Sequence, residues 1–254
     1  MAPVPVLLVH GIRTSASMWR HQVDRLRADG HAVLAIDLPG HGTRHGEQFT
    51  VEGALDAIDA AVTALGGRVM LVGLSLGGYY AIAYAGAHPE RVIGLVAAGC
   101  STVPGGPGLG AYRGLARGIH HLPDRGLWLH TAMVRALVPR QGALDVLAGG
   151  VALDVMDAGL RATSTLTPLA SLAAYPGPVW LVNGSLDQFR LHERRFLAAC
   201  RHGRLVIVPG ATHLVSLAQP QRFTAVLRRV AASLTADSGG GTGASTDSIV
   251  RPGE

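Results

Sequence analysis

At 254 residues the chain is long enough for one α/β domain with a large core, or for two smaller domains. Its net charge of +5 comes from 22 basic against 17 acidic side chains, and the basic ones are scattered, which argues against a nucleic-acid-binding face. Every one of the 22 is arginine, and the absence of lysine excludes a P-loop lysine, a Schiff-base lysine and a lysine general base.

The N-terminal stretch has no positively charged region, and its apolar run is short and broken by Pro3 and Pro5, so no secretory signal is expected. No run approaches the roughly 18 apolar residues of a membrane span, so no membrane partner is expected either. Cys100 and Cys200 do not form a C-x-x-C pair. They read as free packing thiols, which suits a reducing cytoplasm.

Six short apolar runs, rich in β-branched residues and bounded by turn formers, follow one another at 6–9, 32–36, 69–72, 92–97, 179–182 and 205–208. Such runs fit strands buried on both faces. Helix-length amphipathic segments at 17–28, 50–65, 76–87, 191–200 and 219–234 lie between or after them. The alternation predicts right-handed βαβ units and therefore an α/β fold with a doubly wound, mostly parallel sheet of about six strands. Residues 1–99 and 178–235 would form this core. Between them, 100–177 carries no convincing strand and is too long for a structureless loop, so it is expected to be a helical lid insertion, with Trp128, Met133 and Met156 as candidates for an apolar wall. The Gly/Ser/Thr-rich segment 236–254 is expected to be a disordered tail.

In open α/β sheets ligands bind beyond the carboxyl ends of the strands, so the residues following each run carry the information about chemistry. After the third run stands Gly73-Leu74-Ser75-Leu76-Gly77, a G-x-S-x-G match placed between a strand and a small-residue helix. There a serine sits on a sharp strand-to-helix turn, and glycine two places to either side avoids a Cβ clash. Asp187 follows the fifth run and His213 the last. The order Ser75, Asp187, His213 is the one this elbow arrangement uses. A serine hydroxyl is a weak nucleophile near neutral pH and needs a base, which in turn needs an acceptor to fix its tautomer. His213 and Asp187 are the candidates. Asp37, in Asp37-Leu38-Pro39-Gly40, also follows a strand but reads as turn chemistry and precedes the elbow.

Taken together, these motifs resemble the α/β-hydrolase fold superfamily, in the branch of serine esterases, lactonases and cofactor-free haloperoxidases, over about residues 4–234. The resemblance implies that the backbone N–H groups of Ile12, in His10-Gly11-Ile12, and of Leu76 would bind the substrate oxyanion. It also makes Asp37, Gly40 and Gly42 a structural turn and matches Trp19. The chain departs from the pattern in entering almost at once into the strand before His10, so six strands are expected where typical members have eight. Serine in place of aspartate disfavours haloalkane dehalogenation and epoxide hydrolysis.

His41 and His45 have metal-like i, i+4 spacing, but the flanking glycines make this a loop, and no metal is expected. His120, His121 and His130 read as polar positions of amphipathic helices. The absence of a G-x-G-x-x-G after a strand removes support for a dinucleotide, and no cofactor is expected. The sequence thus points to a serine hydrolase for a small, apolar ester, thioester or lactone. Peroxide or an alcohol could replace water on the same triad, giving a perhydrolase or acyltransferase, and a pocket without chemistry would make a ligand-binding protein.

Overall fold

The computed structural model describes residues 3–237. Six strands, β1 (Val6–Val9), β2 (Val33–Ile36), β3 (Val69–Leu74), β4 (Val92–Ala98), β5 (Pro178–Gly184) and β6 (His202–Val208), form one sheet in the order β2-β1-β3-β4-β5-β6. Every neighbouring pair is parallel. This is the doubly wound sheet the apolar runs predict, with the strands reaching slightly different ends; β5 extends to Asn183 and Gly184, and β6 begins at His202.

The helices are α1 (Arg20–Ala28), α2 (Val51–Ala64), α3 (Leu76–Ala87), α4 (Gly106–His120), α5 (Leu127–Leu137), α6 (Arg140–Ala148), α7 (Met156–Ser164), α8 (Pro168–Ala174), α9 (Glu193–Ala199), α10 (Val215–Ala218) and α11 (Pro220–Asp237). Where the sequence suggests one helix over 17–28, the chain makes a 3₁₀ turn at Ala16–Trp19 and then α1. Ser15 starts that turn by accepting from the Ser17 N–H, and burial of Met18 and Trp19 fixes its direction.

Strand side chains alternate between two cores, which is why the strands read as unbroken apolar runs. Val6, Leu8, Met70, Val72, Val96 and Val182 face one side with Trp19, Leu26 of α1, and Phe223 and Leu227 of α11. Leu7, Val9, Leu71, Leu95 and Leu181 face the other, against Ile58 of α2, Tyr80 and Tyr84 of α3, Leu172 of α8 and Phe196 of α9. Cys100 and Cys200 are both free thiols, the first buried.

Between β4 and β5 the described residues hold five helices, α4 to α8, and no strand. Their packing is divided. Val134, Val138, Ala143 and Val146 of the α5–α6 segment join the core that contains Trp19, whereas Ala116, Met156 and Leu160 form a separate small cluster against Ile12. Trp128 and Met133 are 58% and 47% exposed, so of the three wall candidates only Met156 is buried. His130 departs from its expected polar position and is buried. Helix α11 runs on to Asp237, and the rest of the expected tail lies outside the described residues.

Candidate active site

The chain leaves β1 for β2 on one side and returns to β3 on the other, so the strand order reverses between β1 and β3. That reversal opens a crevice at the carboxyl ends of these two strands. Gly11 and Ile12 follow β1 there and Ser75 follows β3. A Cβ on Gly11 would lie 3.5 Å from that of Ser75, so the two loops touch.

Ser75 has φ 53° and ψ −116°, a conformation rare for a residue with a side chain. It is held there by its own N–H, which donates to the Ala98 carbonyl at 2.8 Å, and by the immediate start of α3. The turn is so tight that a Cβ on Gly77 would run into the Val9 and His10 carbonyls, and one on Gly73 into the backbone of Gly77. The glycines of the motif are therefore required by close approach of backbone to backbone.

His213 Nε2 lies 2.9 Å from Ser75 Oγ, and His213 Nδ1 lies 3.1 Å from Asp187 Oδ1. The Asp187 side chain is fully buried, and its Oδ1 also accepts from the Phe189 N–H at 2.8 Å. An oxygen so occupied offers lone pairs to the ring, which places the imidazole proton on Nδ1 and leaves Nε2 free to accept from the serine hydroxyl. The Phe189 ring stands against the imidazole at 4.6 Å between centroids. The loop carrying Asp187 is braced from outside, since Asn183 Nδ2 donates to Ser101 Oγ and Glu193 Oε2, and Arg190 donates twice to Glu193 at 2.9 and 2.8 Å.

Asp37 is engaged elsewhere. It accepts from the Ala16 N–H at 2.7 Å and from the N–H and hydroxyl of Thr43, both at 2.9 Å. Burial opposes its ionisation, but these donors outweigh burial and hold the carboxyl below its ordinary range. It pins the turn after β2, and Asp187 is the carboxylate that reaches the histidine.

The N–H groups of Ile12 and Leu76 make no backbone hydrogen bond among the described residues, although Gly77 N, one residue on, donates to the His10 carbonyl. They are available as donors in the crevice. The Ile12 side chain packs on the cluster of Ala116, Met156 and Leu160, which brings α4 and α7 to the rim of the site.

His41 and His45 are separated by environment. His41 is buried with its Nδ1 bonded to the Pro39 carbonyl, while His45 is exposed with its Nδ1 on Gly42. Among the described residues no group of three or more His, Cys, Asp or Glu is placed to hold a metal ion, and no helix is long and apolar enough to cross a membrane. Reading by motif does not single out Thr14, Phe189 or the Ser101–Asn183–Glu193 brace. Of these only Thr14, a hydroxyl residue three places beyond the turn glycine Gly11, carries a recognisable local signal.

The alpha/beta hydrolase family model matches residues 6–226. A pimeloyl-[acyl-carrier protein] methyl ester esterase of Edwardsiella ictaluri is 31% identical over 245 residues, covering 87% of this chain and 91% of that protein. Among solved structures, a thermophilic esterase from Thermogutta terrifontis superposes with a TM-score of 0.75 at 24% identity, over 92% of this chain and 91% of its own. The enol-lactonase from Burkholderia xenovorans LB400 gives 0.72 at 22% identity, over 91% and 92%. The reversed strand order and the strained serine accompany the family match over residues 6–226, and the chain belongs to the alpha/beta hydrolase family and is a hydrolase.

Proposed function

We propose that the protein cleaves a small carboxylic ester, thioester or lactone with an apolar acyl or alcohol part, through an acyl-enzyme and without a cofactor. Ser75 Oγ attacks the carbonyl carbon while His213 Nε2 takes its proton. Asp187 holds the ring in the required tautomer and stabilises the imidazolium. The N–H groups of Ile12 and Leu76 receive the developing oxyanion. His213 then gives its proton to the leaving group, and water, activated by the same histidine, attacks the acyl-enzyme and regenerates the serine.

The observation that carries this reading is the unbroken hydrogen-bond chain from Ser75 through both nitrogens of His213 to Asp187. That the relative from Edwardsiella ictaluri is named as a methyl ester esterase supports the ester class. Residues 100–177 act as the lid and supply the apolar wall, a role supported by the packing of Met156 and Leu160 on Ile12.

The test is a screen of p-nitrophenyl esters of increasing chain length, with fluorophosphonate labelling of the nucleophile. Ser75→Ala is expected to lose both labelling and on the order of 10⁴-fold to 10⁶-fold in kcat, by comparison with nucleophile knock-outs in serine proteases. Label retained by that variant would move the nucleophile to another residue and sink the proposal.

A further inference from the structure

The Ile12 N–H and the Gly11 carbonyl belong to one peptide unit, and a planar trans peptide points these two groups in opposite directions. Whatever holds the Gly11 oxygen therefore aims the Ile12 N–H. That oxygen is held by the Thr14 hydroxyl at 2.7 Å, by His10 Nδ1 at 2.8 Å and by the Thr14 N–H at 3.3 Å. The single hydroxyl proton of Thr14 goes to this nearer oxygen, the Met18 sulfur being 3.2 Å away. A carbonyl engaged by three donors on one side has little freedom to rotate.

The imidazole can serve as a donor only in one tautomer, and its surroundings select it. The Leu38 N–H donates to His10 Nε2 at 3.0 Å, so Nε2 accepts and the ring proton lies on Nδ1, facing Gly11. His10 is fully buried with the His41 ring 4.8 Å away, and burial first, then His41, pushes its pKa down to about 3, which keeps the ring neutral and Nε2 able to accept. Leu38 begins the turn pinned by Asp37, so the oxyanion loop is fastened to β2 as well as to β1.

We infer that Thr14 and His10 are positioning residues for the oxyanion site, clamping the Gly11–Ile12 peptide so that its N–H is aimed at the tetrahedral centre before substrate arrives. The inference rests on Ser75 as nucleophile and concerns residues that touch neither substrate nor the serine hydroxyl. Thr14 is the better probe because it is small and its hydroxyl can be removed without a large change of volume.

The experiment compares Thr14→Val, which loses the hydroxyl, with Thr14→Ser, which keeps it. Three quantities are read: the second-order rate of Ser75 phosphonylation by a fluorophosphonate, the affinity for an aryl trifluoromethyl ketone, and the melting temperature. Loss of a complete oxyanion donor costs about 10²-fold to 10³-fold, so a mis-aimed one is expected to slow phosphonylation by about tenfold. Ketone affinity should fall by the same factor, KM for a cleaved ester should stay within about twofold, and Thr14→Ser should restore both losses. A merely structural threonine would lower the melting temperature and leave ketone affinity unchanged. The inference is overturned by that result, by wild-type labelling of Thr14→Val, or by equal slowing of both variants. Labelling makes this independent of substrate: an empty ester screen with Ser75 still labelled defeats the ester reading alone, whereas an unlabelled wild type defeats both.

Discussion

A serine at φ 53° costs on the order of 1–3 kcal/mol relative to a relaxed backbone, and the cost is met by the packing of β3 and α3 around it. Alanine at position 75 would remove the hydroxyl and keep the strain, whereas glycine would remove both. Ser75→Gly is therefore expected to be more stable than Ser75→Ala by about 1 kcal/mol, read from urea midpoints with both variants inactive. Equal midpoints would mean that the turn stores no strain. The two aspartates should part in the same way, one in activity and the other in stability. Asp187→Asn puts an amide opposite His213 Nδ1 and favours the wrong tautomer, for a loss on the order of 10³-fold to 10⁴-fold in kcat. Asp37→Asn places an amide N–H against the donors of Ala16 or Thr43 and gives up charge-assisted bonds, so it should cost about 1.5–3 kcal/mol of stability with a far smaller change in kcat. If the kcat losses are reversed in folded variants, the roles of the two carboxylates are exchanged.

At the scale of elements, the strands and the elbow were legible because their signals are local. A fully buried parallel strand must be apolar at every position, and the elbow needs glycine where backbone meets backbone, so 69–77 is recognisable from its own residues even though the backbone that requires Gly77 is that of Val9 and His10. The split of the helix expected over 17–28 was not legible, since it follows from burial of Met18 and Trp19 against residues far along the chain. The segment 100–177 could be recognised as helical, but which of its side chains turn inward could not, because α4 to α8 answer to different partners. Met156 lies in the small cluster against Ile12, whereas Trp128 and Met133 are exposed. Truncating Met156 to alanine is accordingly expected to shift the preference between neighbouring ester chain lengths by about tenfold, one methylene in such a pocket being worth about 1–3 kcal/mol. Trp128→Ala and Met133→Ala should leave that preference unchanged. A shift produced by Trp128→Ala with none from Met156→Ala would place the specificity wall on α5.

For the whole molecule, composition is informative about what the chain lacks and silent about where its ionisable groups lie. Twelve histidines and a net charge of +5 do not reveal that His10 and His41 are enclosed between the β1 and β2 ends, or that His130 of α5 is buried with neither ring nitrogen bonded. Burial, followed by the nearby Arg13 guanidinium, pushes the His130 pKa down to about 4, and burial with His41 takes His10 to about 3. Both values are below the ordinary histidine value of 6.5, so the folded protein keeps these rings neutral at pH values where the unfolded chain protonates them. Between about pH 6.5 and 4 the unfolded state then binds more protons, and stability must fall as pH falls; above 6.5 these groups contribute no pH dependence. Each such ring lowers stability by about 1.4 kcal/mol per pH unit as pH falls through the window, so the two together take away a sizeable share of an ordinary domain's stability. The melting temperature is expected to be level from pH 8 to 7 and to drop steeply from pH 6 to 4.5. His130→Leu separates this linkage from general acid sensitivity, because it removes one of the titrating rings along with two unbonded buried nitrogens. It should raise the melting temperature more at pH 5 than at pH 8, and an equal gain at both would show that His130 protonates alike in the folded and the unfolded chain and takes no part in the acid transition.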